Sequence, residues 1–258
     1  MIKLFNVTKR FGSITAMRDV SLTVGRGEFV LLSGPSGAGK TTLLRTIFAA
    51  ERPDEGQIIL AGRNISRLQR SSIPLLRRSI GVVFQDFKLL RQRSALHNVM
   101  VALEICGMPP RQVRERGMLA LSAVGLEERA QTPAAALSGG EQQRVAIARA
   151  MVGSPSILLA DEPTGNLDPE RSHDILDLLQ LEAQRGTTVL IATHDPMVVQ
   201  NAAAHRIVLM DHGTVIGALA GSGAAIEPPR PAPAPAPQQG ELTLDALRPV
   251  EVAPGVAA

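Results

Sequence analysis

Tryptophan and tyrosine are absent from the 258 residues and the six phenylalanines are scattered, so the chain offers no aromatic platform for stacking single-stranded nucleic acid. A net charge of +3 is too small to argue for a nucleic-acid partner. The single cysteine, Cys106, excludes an intrachain disulfide. Flanked by Ile105 and Gly107, it is expected to be a small buried residue. Long apolar runs are also lacking. Even the strongest, Ser156 to Ala160, closes on Asp161, and none reaches the length needed to cross a bilayer, so membrane association is expected only through a partner. Met1 to Val7 enters strand-like sequence without the regions of a secretory leader, and a cytoplasmic location is expected. Lysine is scarce: Lys3, Lys9, Lys40 and Lys88 stand among 27 basic residues. A lysine inside a glycine-rich loop is therefore conspicuous.

That loop is Gly34-Pro35-Ser36-Gly37-Ala38-Gly39-Lys40-Thr41-Thr42, which fits the pattern G-x-x-x-x-G-K-[ST]. Phe29 to Ser33 before it is an apolar run of strand length, and Leu43 to Phe48 after it reads as a helix, the context the pattern requires. Glycine lets backbone N–H groups turn inward onto a phosphate chain, and the following helix start adds its positive dipole. Lys40 is expected to reach the β- and γ-phosphates, and the Thr41 hydroxyl to ligate Mg²⁺. The predicted ligand is a nucleoside triphosphate.

Two further tracts carry chemistry. Ile157 to Glu162 is an apolar strand ending in two acids, the arrangement that delivers carboxylates to a phosphate site. Asp161 is placed to hold Mg²⁺, directly or through water. Side chains alternate along a strand, so Glu162 points elsewhere and suits a general base for the attacking water. Adjacent acids at a strand end are common, and only the upstream loop gives these two weight. Leu137 to Gln143 holds a Ser-Gly-Gly turn leading into a helix over Glu141 to Met151, with Val145, Ile147, Ala148 and Met151 as its apolar face. Taken alone that turn is a helix cap.

Up to about Gly217 strand-like and helical patterns alternate, predicting an α/β architecture around a central sheet. Between about Phe87 and Leu137 strand signals fade, and Val113, Leu119, Leu121, Val124 and Leu126 recur at helix-compatible spacing, predicting a helical insertion. The run Pro228 to Pro237 belongs to a Pro/Ala-rich tail, expected to be extended or disordered and outside the fold. Leu242 to Leu247 within it is too short for a stable helix alone.

With these motifs in this order, the sequence resembles the ATP-binding subunits of ABC transporters over about residues 1 to 217. Ser138 to Gln143 matches their signature, and Gln85 after Gly81-Val82-Val83-Phe84, Gly165-Asn166-Leu167-Asp168 and Ala192-Thr193-His194-Asp195 complete the set. The resemblance implies an α/β P-loop NTPase of ABC ATPase type. Its central mixed sheet carries a helical subdomain at about 87–140 and an N-terminal antiparallel β portion. It implies an ATPase domain at 1–220 followed by the tail at 221–258. It also implies that Gln85 contacts Mg²⁺ or the attacking water, that His194 holds the γ-phosphate, and that Phe11 stacks on adenine. The implied working form is a homodimer in which each ATP lies between the Gly34 to Thr42 loop of one copy and Ser138, Gly139, Gly140 and Glu141 of the other, with Asp168 joining the two sites.

Within the family, Arg77 to Leu90 and Ala160 to Asp168 look most like the cell-division branch, the FtsE group. That branch pairs with an integral membrane partner of the FtsX type at the cytoplasmic face of the inner membrane and regulates cell-wall hydrolases. The alternative is an ATPase of LolD or MacB type, serving lipoprotein release or export. Phe87, Leu89, Leu90 and Leu96 are expected to form the partner's groove beside Gln85. A soluble ABC ATPase of DNA repair or the ribosome would need a long coiled coil or tandem domains, and the intact Glu162 and His194 speak against a non-hydrolysing sensor.

Overall fold

The computed structural model describes residues 1–165, 167–201, 204–220 and 225–226. Asn166 and the Pro/Ala-rich stretch with Leu242 to Leu247 lie outside the described residues. The first half of the chain runs through β1 (Ile2–Phe11), β2 (Ile14–Val24), β3 (Phe29–Ser33), α1 (Lys40–Ile47), β4 (Glu55–Leu60), β5 (Arg63–Asn64), α2 (Ile73–Arg77) and β6 (Ile80–Val83). Helices α3 (Ala95–Ile105), α4 (Pro110–Ala123) and α5 (Gly139–Met151) follow. The remainder is β7 (Ile157–Asp161), α6 (Pro169–Gln184), β8 (Thr188–Thr193), α7 (Pro196–Asn201), β9 (Arg206–Asp211), β10 (Thr214–Ala220) and β11 (Ala225–Ile226).

Two sheets result. The smaller, in the order β2-β1-β4-β5, is antiparallel. The larger has the order β11-β10-β9-β3-β8-β7-β6, with β9, β3, β8, β7 and β6 parallel and β10 and β11 antiparallel at one edge. The parallel strands are buried on both faces, which is why they read as continuous apolar runs. Their side chains still alternate. Phe29, Leu31, Leu158, Ala160, Val189 and Ile191 enter a core with α3, α4, α5 and α6. Val30, Leu32, Ile157, Leu159, Leu190 and Ala192 enter a second core with α1 and the antiparallel sheet. Period-two alternation thus fixes which layer each residue serves. It also places Asp161 on the α1 face, in step with Ile157 and Leu159.

Between β6 and β7 the described residues form no strand, as the fading signals predicted. Val113, Leu121, Val124 and Leu126 are buried there. Leu119 is not: it is 65% exposed, because the buried face of α4 follows Val113, Gly117 and Leu121, and Leu119 lies around the helix from it. Cys106 is exposed, contrary to expectation. It caps the C-terminus of α3 just beyond Ile105, itself 61% exposed, where the helix has left the core. Leu96 is buried in the core and cannot offer a docking surface, whereas Phe87 and Leu89 are half-buried and Leu90 is 45% exposed.

Candidate active site

The end of β3 releases the chain into the glycine-rich loop, and α1 begins at Lys40 with Gly39 as its N-cap in a left-handed conformation, φ 98°. A side chain at Gly39 would be strained, and its Cβ would lie 2.6 Å from the Ala16 carbonyl oxygen on β2. The loop closes on itself through Ala38 N–H donating to Pro35 O at 3.1 Å and Leu43 N–H to Gly39 O at 2.9 Å. Lys40, itself buried, donates from Nζ to Gly34 O at 2.6 Å and Pro35 O at 3.0 Å. Among the described residues no carboxylate forms an ion pair with it. A buried ammonium held by carbonyls alone, in a loop at a helix start, fits an anionic ligand.

The loop forms one wall of a cleft of about 380 Å³. Ser36 to Thr42 line it, facing Gln85, Asp161, Glu162 and His194. The structure thus brings together residues from the ends of β3, β6, β7 and β8, the carboxyl edge of the parallel strands. Asp161 is buried, with the Thr41 hydroxyl beside its carboxylate. Burial raises its pKa, with Thr41 opposing the rise and Glu162 adding to it. A hydroxyl beside one carboxylate suits a hard cation that completes its shell with phosphate oxygens and water, as Mg²⁺ does. No group of three His, Cys, Asp or Glu that could hold a metal occurs among the described residues.

Glu162 follows β7 with a left-handed backbone, φ 50°, fixed by its N–H donating to Ala192 O at 2.9 Å. Its Oε2 accepts from the hydroxyl of buried Thr193 at 3.2 Å, and its Oε1 lies 2.6 Å from His194 Nδ1. Acid and imidazole therefore meet each other inside the cleft. Thr193 had no visible role in the sequence, and only its place before His194 marks it.

Other predicted residues lie elsewhere. Gly34 and Pro35 serve through the carbonyls that hold Lys40. Phe11 is 44% exposed, pairs with Ile14 across the β1–β2 hairpin and carries the Lys9 ammonium 5.1 Å from its ring centre. Ile14, not Phe11, is on the cleft wall. Ser138 caps α5, its Oγ accepting from Glu141 N–H at 3.3 Å while its own N–H donates to Glu141 Oε2 at 2.8 Å. That hydrogen bond, more than the nearby Arg129, holds the Glu141 carboxyl below its ordinary pKa. Asp168 caps α6 through Arg171 N–H at 2.9 Å, and this bond likewise lowers its pKa. Neither cap lines the cleft, so one chain does not bring Ser138 to Glu141 or Asp168 to its own glycine loop.

Sequence reasoning missed His212 and Gly213, which also line the cleft. Their turn between β9 and β10 is bonded to the loop, with Gly213 N–H donating to Ala38 O at 3.1 Å. The Asp211-His212-Gly213 turn between two apolar runs was the available signal.

The family model described as ABC transporter matches residues 17–165. The chain is 44% identical over 217 residues to the cell division ATP-binding protein FtsE of Streptococcus pneumoniae serotype 2 (strain D39), covering 84% of this chain and 94% of that protein. It is 42% identical over 216 residues to the methionine import ATP-binding protein MetN of Brucella abortus (strain 2308), covering 83% of this chain and 58% of that one. A solved dimeric ATP-binding cassette in a post-hydrolysis state, bound to ADP and Pi, superposes with a TM-score of 0.80 at 37% identity, covering 85% of this chain and 98% of the other. The chain belongs to the ABC transporter family.

Proposed function

We propose that this chain is the ATP-hydrolysing subunit of a cell-division complex of the FtsE–FtsX kind, working as a homodimer on the inner face of the plasma membrane and passing ATP-driven motion to a transmembrane partner that controls cell-wall hydrolysis. The observation that carries the ATPase reading is the cleft itself, with a buried Lys40 in a glycine loop facing Asp161, Glu162 and His194. No helix among the described residues is long and apolar enough to cross a membrane, so the membrane component is a separate chain in this reading.

Loop N–H groups and Lys40 hold the β- and γ-phosphates. Thr41, Asp161 and Gln85 are the residues that would hold Mg²⁺, which supplies charge neutralisation of the phosphates. Glu162 takes the proton of the attacking water, and Thr193 keeps its carboxylate in place. His194, now against Glu162, supplies the imidazole for the γ-phosphate. The exposed helix start at Ser138 meets the γ-phosphate of the second copy's ATP, which completes the site. Hydrolysis removes part of that attraction and lets the pair open.

The cell-division assignment draws on the FtsE relative. A second reading, an ATPase of a lipoprotein-release or export transporter of LolD or MacB type, stays in play because a transport ATPase such as MetN shares the core at nearly the same identity. The test is capture of Glu162→Gln protein from its native membranes with ATP present. A partner of the FtsX kind is the expected result, and a transport permease would move the function to transport while keeping the ATP site.

A further inference from the structure

Arg149, toward the far end of α5 from Ser138, has no part in the cleft. Its guanidinium is desolvated, and this burial alone lowers its pKa. No carboxylate forms an ion pair with it among the described residues. Its two terminal nitrogens instead donate to two successive carbonyls, Nη2 to Phe87 O at 2.6 Å and Nη1 to Lys88 O at 2.7 Å.

Those carbonyls belong to an unusual turn. Phe87 and Lys88 are consecutive non-glycine residues with left-handed backbones, φ 59° and 48°. Such a conformation persists only where the surroundings impose it. Within the turn, Phe87 N–H donates to Phe84 O at 3.0 Å and Lys88 N–H to Asp86 O at 2.6 Å. Gln85, on the cleft wall, sits inside this same turn. Leu89 and the exposed Leu90 follow directly.

The strand that leads into the turn is also held to α5. A Cβ at Gly81 on β6 would come within 2.2 Å of the Ala150 carbonyl, so helix backbone and strand backbone lie in direct contact. One helix thus bears Ser138 at its start and grips the Gln85 turn near its end.

We propose that Arg149 is a positioning residue that fastens the Gln85 turn to α5, so that displacement of the Ser138 end by nucleotide moves Gln85 and the Phe87 to Leu90 segment with it. A guanidinium suits this task because its planar fork presents several N–H groups at fixed angles to converging carbonyls, where an ammonium offers a point charge on a flexible stem. The inference rests on the reading that Ser138 meets the second copy's ATP.

The test is hydrogen exchange of the Glu162→Gln protein with and without ATP and Mg²⁺, compared with the same protein carrying Arg149→Met. In the parent, ATP is expected to slow exchange at residues 34–42 and 138–141 and to change it at 86–90. With Arg149→Met, the first two responses stay and the third falls at least fivefold. Arg149→Lys, which keeps stem and charge, is expected to give an intermediate response and carries the test if the Met variant does not fold. In the otherwise unmodified protein, Arg149→Lys should also lower kcat, counted per ATP-binding site titrated in the same preparation, about tenfold with KM for ATP within twofold; a mere loss of folded protein would leave that normalised kcat unchanged. An unchanged ATP response at 86–90 in both variants would overturn the inference alone. Absence of protection at 34–42 in the parent would overturn the ATP reading, and the inference with it.

Discussion

Gly37 and Gly39 belong to the same loop and both have left-handed backbones, φ 81° and 98°, yet the structure separates the consequences of adding one methyl group to each. At Gly37 a Cβ would meet nothing within 4 Å. The cost of Gly37→Ala is then the conformational penalty alone, about 1–2 kcal/mol for an L-residue held in that region. The free loop can relax and must return to bind, so this strain is the upper limit on lost affinity, roughly 5- to 30-fold. At Gly39 the same penalty applies, and the Cβ also stands 2.6 Å from the Ala16 carbonyl and 3.4 Å from the Gly213 Cα. Both neighbours are backbone, so β2 or the start of α1 must shift, carrying Lys40 and Thr41 out of place. Gly39→Ala is expected to weaken ATP binding by more than about 100-fold, beyond 2.7 kcal/mol. Calorimetric titration of ATP into the Glu162→Gln forms of both variants measures the difference. Equal losses, or a larger loss for Gly37→Ala, would refute the reasoning.

Asp161→Asn should raise stability at neutral pH while abolishing the Mg²⁺ dependence of ATP binding. Burial raises the Asp161 pKa, so the folded chain holds that proton more tightly than the unfolded one. Its stabilising contribution is full below the ordinary carboxylate range and lost as pH rises through the raised value, leaving the ionised group a net cost. Thermal melts should show the Asn variant's gain growing with pH, and a less stable variant at pH 7 would contradict this. Asn98 is fully buried and donates to Leu90 O, Arg93 O and Ser94 O while accepting from Leu90 N–H at 2.7 Å. Asn98→Ala strands these groups at a cost of about 3 kcal/mol, which should lower Tm by roughly 6–12 °C, and a shift under about 2 °C would count against it.

The glycine loop, the acid-ended strand and the Ser138 cap were legible because each is local: the residues that act are adjacent in the chain, and strand alternation alone assigns Asp161 to the α1 face. What escaped reading is built by tertiary contact. His212 and Gly213 reach the cleft only because β9 pairs with β3. The roles of Thr193 and Arg149 depend on distances between segments far apart in sequence. Leu96 and Cys106 were misjudged for a related reason. Apolar character and apolar neighbours do not say which face of α3 is covered, nor where along it the core ends. Phe11, inferred by resemblance, lies beside the cleft on an exposed hairpin end, whose position relative to a bound base no local pattern determines.

The claim at the centre of the account is that ATP completes its site between two copies of this chain. Light scattering on Glu162→Gln protein, measured without nucleotide, with ADP and with ATP and Mg²⁺, tests it directly. The account predicts a monomer in the first two conditions and a dimer in the third, with Ser138→Arg restoring the monomer without loss of ATP binding to the glycine loop. A mass that stays monomeric with saturating ATP, or a dimer indifferent to nucleotide and to Ser138, would contradict it.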